Sequence, residues 1–394
     1  MEHAEEAIRL ARDNQLESWA AMGLVRLASV QLGQGHLNEA EKPLQEAMQI
    51  LHQSPQPRVE AFANVTKASL MDQENRPNEV AGPAQAALDY YKKNGYFAPA
   101  TGAALLLVRA EANQGRYKQA LESGNGLLTM AAQSEIPALR MQAEELMGTV
   151  NLELEQYPDA LTHFRNAKDS ADTDTRRSYQ ALHCALVLWK LGRYAESEEM
   201  FKVAAGNASL QTSVAEGRAD SLLSQQRFKA ALQLAQRTIA ADGSMEADSK
   251  RSFQQDEVIA ESHLGMKKQA LAGLSAYVAP DQKKDDPSDT AHDKLTAAEI
   301  YFWMGMNQQA RDAALAAQDY FASSGQVDSE LQSACYAAAA SKALKDEAGY
   351  ESSSKKVLDI LSKVRKNWAP AAVQQYIARP DIRALTQQIQ KGEK

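Results

Sequence analysis

Cysteine is nearly absent from this sequence, with two in 394 residues. Cys184 and Cys335 stand 151 positions apart, whereas a disulfide framework or a zinc site needs thiols clustered at short spacings. We therefore predict that both are small core residues in contacts between helices. The compartment stays open, because a lack of disulfides fits the cytosol without requiring it.

Long apolar runs are also missing. The longest uncharged apolar stretch, residues 100–108, is far too short to span a bilayer, and no signal peptide opens the chain. No stretch shows the period-2 alternation of a half-buried strand. Glycine (20) and proline (12) are sparse, while 44% of the residues are apolar, and Ala, Leu, Gln and Glu, which favour helix, are prominent. The composition predicts an all-α fold without a membrane segment.

Neither an excess of basic residues nor a known catalytic motif is found. The net charge is −8, whereas a nucleic-acid-binding protein needs a basic face to neutralise phosphates. Phosphate-loop, HExxH, GxSxG and kinase catalytic motifs are missing, and the seven histidines are scattered. We expect no catalytic activity, no metal, no cofactor and no nucleic-acid partner.

A small side chain recurs along the chain at a nearly constant spacing. Its successive positions are separated by 40, 40, 40, 37, 34, 39 and 40 residues. Two antiparallel helices joined by a tight turn approach closely where a small residue lies between them, and a preceding Gly stops the first helix. The pattern predicts one helix pair per unit, with these small residues buried at the crossings: Ala40, Val80, Ala120, Ala160, Ser197, Ala231, Ala270 and Ala310.

The residues around these positions resemble the tetratricopeptide repeat (TPR) family. Gly192 and Tyr194 at a turn, followed by Ser197, Phe201 and Ala204, match the family pattern of Gly and Tyr, then small, aromatic and small residues. The resemblance implies an all-α, right-handed superhelical solenoid of about nine antiparallel helix pairs. The period of about 40 residues departs from the family unit of about 34, so the shape of the groove does not carry over.

The repeats predict four segments. Residues 1–280 hold a half repeat and seven helix pairs, 281–290 form a polar loop, 291–366 hold two further pairs, and 367–394 form helices that cap the last pair. Residues 4–11 look like the second helix of a pair whose first helix is missing. This half repeat is either a frayed terminal helix or a sign that the chain is part of a longer protein.

The tail has its own resemblance. Trp368, Tyr376, Arg379, Pro380 and Asp381 follow the last pair, and with the long repeats they look like the C-terminal TPR region of large bacterial serine/threonine kinases of eukaryotic-like type. This resemblance implies a signalling role, and an upstream kinase domain in the same polypeptide as a partner. The chain would be cytoplasmic if free-standing, or extracytoplasmic if it is the tail of a membrane-anchored kinase.

Binding residues are implied by the TPR resemblance, because first helices line the groove of that family. The resulting candidates include the residue types that are enriched at interface hot spots. The alternative is that Trp189, Phe302 and Trp303 only pack between pairs, and that Arg109 and Lys190 are solvated. The candidates are Arg109, Tyr179, Leu186, Trp189, Lys190, Leu295, Phe302 and Trp303.

We therefore expect a non-catalytic scaffold that binds a protein or peptide ligand, as the sensor or docking region of a bacterial signalling protein. Groove ligands of such repeats are commonly extended peptides or helices. The alternative is the regulatory region of a transcription activator that senses a small inducer, which predicts one deep pocket between repeats.

Overall fold

The computed structural model describes residues 2–241, 243–277 and 287–390. These residues form α-helices joined by short turns, with one 3₁₀ turn at Ala208–Leu210, and no strand occurs among them. Their contacts divide the chain into two compact units, Met1–Val150 and Asn151–Lys394, here called unit 1 and unit 2. No helix in the described ranges is long and apolar enough to cross a membrane.

Unit 1 begins with one helix, continues with three helix pairs, and ends within α8. The boundary at Val150 falls inside this last helix, so the end of α8 belongs to unit 2. The helices are α1 Glu2–Asp13, α2 Glu17–Gly33, α3 Leu37–Gln53, α4 Pro57–Gln73, α5 Pro77–Lys93, α6 Phe97–Asn113, α7 Tyr117–Gln133 and α8 Pro137–Glu153.

Unit 2 continues the series of pairs and ends with two helices after the last pair. Its helices are α9 Tyr157–Asp169, α10 Asp174–Lys190, α11 Tyr194–Ala204, α12 Gln211–Ser224, α13 Phe228–Ala241, α14 Ala247–His263, α15 Lys267–Tyr277, α16 Pro287–Trp303, α17 Asn307–Ser324, α18 Val327–Ala343, α19 Glu347–Asn367, α20 Pro370–Ile377 and α21 Pro380–Gln390. Of the polar loop predicted at 281–290, residues 281–286 lie outside the described residues, and 287–290 begin α16.

The small residues of the repeat lie where their phase predicts. Each is at most 1% exposed, because it lies at the crossing of the two helices of its pair, where a larger side chain would hold the backbones apart. Ser197 keeps its hydroxyl satisfied by donating to the carbonyl of Ala185 at 2.8 Å. The all-α fold and the phase of the repeat are therefore confirmed.

The turns within pairs need a left-handed residue, and glycine supplies it most often. At Gly192, where φ is +78°, a Cβ atom would come within 2.7 Å of the carbonyl oxygen of Gln375. This turn therefore needs glycine for two reasons, its backbone conformation and the close approach of the last turn of α20.

The described part of the predicted capping segment does more than cover the last pair. The helix α21 packs against α18 and reaches α12, which belongs to a pair three places earlier in the chain. One hydrophobic cluster runs from Tyr157 to Ile389 and includes α18. Because α18 is covered on so many sides, its sequence is rich in alanine and most of its residues are buried.

Candidate functional site

A cavity of about 260 Å³ lies within unit 2. Its walls are the first helices of five successive pairs, α10, α12, α14, α16 and α18, together with α21 and the turn between α8 and α9. The first helices of TPR-type pairs thus line one common space, to which α21 adds a further wall.

The repeat phase determines which side chains line this cavity. Residues eleven or seven positions before the small residue of a pair lie on one face of the first helix, because the two positions are four residues apart. The lining residues at these two positions are Asp220, Ile259 and Glu299, then Lys190, Ser224, His263 and Trp303.

A buried ion pair closes one end of the cavity. Asp328, in the first turn of α18, and Arg379, between α20 and α21, are each 2% exposed, and Arg379 Nη1 lies 2.9 Å from Asp328 Oδ2. The hydroxyls of Tyr157 and Tyr376 donate to the same carboxylate at 2.8 and 2.7 Å. Burial alone would raise the pKa of Asp328, but the charges of Arg379 and Lys190 and the two hydroxyls hold it below its ordinary value.

Glu155, in the turn between α8 and α9, caps the N-terminus of α18. Its carboxylate accepts from the backbone N–H groups of Asp328 at 2.5 Å and Ser329 at 2.9 Å, and from the Ser329 hydroxyl at 2.6 Å. These N–H groups in the first turn have no partner within the helix. Burial first, and then the charge of Asp328, raise the pKa of Glu155 to about 7.

Two carboxyl groups meet in the wall formed by α12 and α14. Asp220 lines the cavity, and the carboxyl group of Asp256, 4% exposed, lies close enough to be affected by its charge. Burial raises the pKa of Asp220 to about 6. Burial, followed by the charge of Asp220, raises the pKa of Asp256 well above its ordinary value.

Aromatic side chains form much of the remaining wall. The Lys190 ammonium lies 4.6 Å from the ring centre of Trp189 and 5.7 Å from that of Tyr157. The His263 ring lies between Phe228 and Trp303, with centroids at 4.0 and 4.5 Å. Such faces attract cations as well as apolar groups.

Four of the predicted binding residues line this cavity, namely Trp189, Lys190, Leu295 and Trp303. The family phase brings them together although they come from α10 and α16, which are more than a hundred residues apart in sequence. Whether they bind a partner stays a prediction.

The other four predicted residues do not line the cavity. Leu186 packs toward α11 and α12, beside Gly217, and Phe302 packs on the rings of Trp303 and Tyr336. Tyr179 is 41% exposed on α10. Arg109 lies in unit 1, where it is exposed and pairs with Asp72 at 3.0 Å.

Sequence reasoning missed the polar part of the lining. Asp220, His263 and Glu299 share the repeat phase of Arg109 or Lys190, but the choice of candidates favoured Trp, Tyr and Arg. Counting back from every small residue, whatever the residue type, would have found them. The pairing of Asp328 with Arg379 has no such signal, because it joins the tail to a helix outside the periodic contacts.

The residues with potential nucleophilic chemistry are held neutral. Burial raises the pKa of Cys184 to about 11, and Lys168 and Arg165 oppose that shift only in part. Burial lowers the pKa of the neighbouring His183 to about 4. Both cysteines are buried and unbridged, as predicted for core residues. The described ranges contain no group of three or more His, Cys, Asp or Glu side chains placed to hold a metal ion.

The fold and the inner face of its first helices define a helical-repeat solenoid of TPR type, and known structures share that fold. The apo form of the quorum sensor NprR from B. thuringiensis is similar over 89% of this chain and 99% of its own, with a TM-score of 0.58 and 11% identity. Aspartyl phosphate phosphatase F from Bacillus subtilis is similar over 90% of this chain and 95% of its own, with a TM-score of 0.52 and 14% identity.

Comparison of the sequence alone finds less. No protein-family model matches it, and no curated protein is significantly similar to it. At 11% and 14% identity, the two structural similarities concern the fold. They do not bear on the resemblance of the tail to kinase regions, which stays a prediction.

Proposed function

We propose that this chain is a non-catalytic binding scaffold, the sensor or docking region of a bacterial signalling protein, and that unit 2 holds its protein or peptide ligand. The observation that carries the proposal is the cavity on the inner face of five successive first helices. A quorum sensor with the same fold supports a signalling context. The buried, neutral Cys184 and His183 support a role without nucleophilic chemistry.

The proposed link to an upstream kinase domain rests on the tail. Trp368, Tyr376, Arg379 and Asp381 contribute to the contacts of unit 2, where the Trp368 indole donates to Gln156 at 3.1 Å. The reading frame upstream of Met1 tests this link, because it would encode a kinase domain.

A second candidate is the regulatory region of a transcription activator that senses a small inducer. The volume of the cavity favours it, because about 260 Å³ is close to the lower limit of about 300 Å³ for pockets that hold small molecules. The position of α21 favours it too, because this helix packs against α18 and lines the cavity, which reduces the space for a long peptide.

The test is binding by the intact chain to size-separated fractions of a bacterial lysate, followed by thermal melting and native mass spectrometry. We expect one fraction to raise the melting temperature of the wild type and of Leu358→Ala, a control at a side chain that is 65% exposed on α19. The same fraction should have a much smaller effect on Trp189→Ala and Trp303→Ala, which lose cavity walls.

The outcomes separate the candidates. Loss of the effect after protease treatment of the fraction supports a protein or peptide ligand, whereas a protease-resistant effect supports a small inducer. An effect of equal size in all four proteins, or none at all, would overturn the assignment of the site. Release of phosphate from acetyl phosphate by the purified chain would overturn the non-catalytic role.

A further inference from the structure

The helix α21 packs against unit 2 without belonging to a helix pair. The helices from α9 to α19 each pack extensively against a neighbour in the sequence, whereas α21 touches its neighbour α20 only slightly. It packs mainly on α18, with a further contact to α12. Both of these are first helices of their pairs, and α21 lines the cavity together with them. It therefore lies on the inner face of unit 2.

Three apolar side chains attach α21 to that surface. Ile382, Leu385 and Ile389 are at most 8% exposed and belong to the hydrophobic cluster that includes α18. Their spacing of i, i+3 and i+7 places them on one face of the helix, while Arg383 and Gln387 on another face are exposed. An amphipathic helix that binds in a groove of another protein uses the same pattern of anchors.

The hydrogen bonds to the end of α21 go to its backbone. Lys342 Nζ donates to the carbonyl of Gln388 at 3.1 Å, and the Tyr350 hydroxyl donates to the carbonyl of Ile389 at 2.7 Å. Carbonyl groups in the last turn of a helix have no partner within the helix, and a lysine there suits the helix dipole. Because every helix ends in such carbonyls, these two donors fit a helical ligand whatever its side chains.

The residue before α21 is anchored independently of that helix. Arg379 pairs with Asp328 and donates to the carbonyl of Lys190, and both contacts lie outside α21. Asp381 also pairs with Arg379, and its place in the first turn lets it keep that contact when the later turns detach. With 11 residues, α21 is shorter than the roughly 12–15 residues at which an isolated helix is marginally stable. Its helical form therefore depends on docking.

From these contacts we propose that α21 is an internal occupant of a helix-binding surface on unit 2, and that the partner of this surface is an amphipathic helix of another protein. The partner helix carries apolar side chains at the spacing of Ile382, Leu385 and Ile389. It takes the place of α21, so it needs no space beyond what α21 already fills. The inference rests on the proposed binding role of unit 2 and names the kind of partner.

The experiment uses the full chain and a fluorescent synthetic peptide with the sequence of residues 380–390. A hydrocarbon staple between positions 383 and 387, which are exposed in α21, keeps the peptide helical without altering its apolar face. A control peptide carries the same staple and the change Leu385→Asp. Fluorescence polarisation measures the affinity. Because α21 competes for the surface, we expect weak binding of the stapled peptide to the wild type, and no measurable binding of the control peptide.

Two variants of the chain weaken the competing helix. Leu385→Asp removes the central apolar contact of α21 and should bind the stapled peptide at least tenfold more tightly than the wild type does. Arg383→Gly with Gln387→Gly lowers only the helix propensity of α21 and should raise the affinity by about tenfold. Lys355→Gly with Asp359→Gly, at exposed positions of α19, is the matched control and should bind like the wild type.

Equal affinity of the four chains for the stapled peptide, or no binding to any of them, would overturn the proposal. Equally tight binding of the control peptide would overturn it too. The paired glycine changes on α21 keep the test valid if Leu385→Asp does not fold, because they lie at the surface.

The lysate fraction separates this proposal from the binding role of unit 2. If a protease-sensitive fraction acts on the wild type and not on Trp189→Ala, while the peptide binds to none of the chains, the binding role stands and only the helical partner is wrong. If neither the fraction nor the peptide acts, both proposals fall together.

Discussion

Units 1 and 2 are built from the same repeat, but they hold their polar groups differently. In unit 1 the ion pair of Arg109 with Asp72 lies at the surface, with Arg109 nearly half exposed. In unit 2 the pair of Arg379 with Asp328 is 2% and 3% exposed and carries two further tyrosine hydrogen bonds. The comparison teaches that periodic contacts build the helix pairs and the inner face of the cavity, whereas the buried ion pair of unit 2 comes from contacts outside the period.

The largest expected effect on stability concerns the small residues at the helix crossings, which both units share. Ala120→Asp in unit 1 and Ala160→Asp in unit 2 each place a carboxylate at a crossing where the native side chain is 0% exposed. We expect each to destabilise its unit by about 4–6 kcal/mol, the cost of an unpaired buried charge together with steric overpacking. Urea denaturation followed by hydrogen exchange in each unit measures it, and unchanged protection would show that the repeat phase is wrong.

The next largest effect on stability concerns the ion pairs, which are exposed in unit 1 and buried in unit 2. Arg379→Met leaves the Asp328 carboxylate buried without its cation, which should cost unit 2 about 3–5 kcal/mol. Arg109→Met is the matched change at the surface pair of unit 1 and should cost less than about 1 kcal/mol. Adding Asp328→Asn to Arg379→Met should recover much of the loss. Equal effects of the two arginine changes in denaturation would remove the contrast between the units.

A smaller effect concerns pH. The pKa of Glu155 is raised from an ordinary 4.5 to about 7, so between these values the folded state binds a proton that the unfolded state releases. Acidification from pH 7 toward pH 5 should therefore stabilise unit 2, by about 1–3 kcal/mol. The raised pKa of Asp220, about 6, acts in the same direction.

Hydrogen exchange at pH 7.5 and pH 5.5, corrected for the intrinsic rates, measures this effect in both units. Unit 1 serves as the internal control and should change little. The double variant Glu155→Gln with Asp220→Asn should lose this stabilisation and keep the opposite contribution of His183, whose pKa is lowered to about 4 by burial, so its unit 2 should lose stability on acidification. A wild-type unit 2 that loses protection on acidification would reverse the sign and exclude these carboxyl groups as its cause.

The sequence predicts the helix pairs well because their information is local. Each small residue marks its own crossing, and Pro370 and Pro380 begin α20 and α21, as expected for a residue without an N–H group at the first helical position. The TPR phase also places Trp189 and Trp303 on the inner face that lines the cavity. These features depend only on neighbours along the chain or on the next pair.

The rest depends on contacts that no period encodes. Glu155 looks like an ordinary turn residue in the sequence, and its role requires that the start of α18 come back to it. The tail was expected to cap the last pair, but Arg379 reaches the carbonyl of Lys190 on α10 at 2.8 Å. Such contacts follow from how each pair rotates on the next, and small changes in that rotation add up over several pairs.

The hydrogen bonds from Tyr157 and Glu155 to the start of α18 join positions about 171 residues apart. They bring the start of unit 2 into contact with its last helix pair. An ordinary solenoid has no contact between its ends, so it tolerates changes in the number of repeats. Deleting or duplicating a single pair between α10 and α17 would therefore pull this junction apart. The contact between Glu155, Tyr157 and the start of α18 therefore fixes the number of helix pairs that unit 2 can hold.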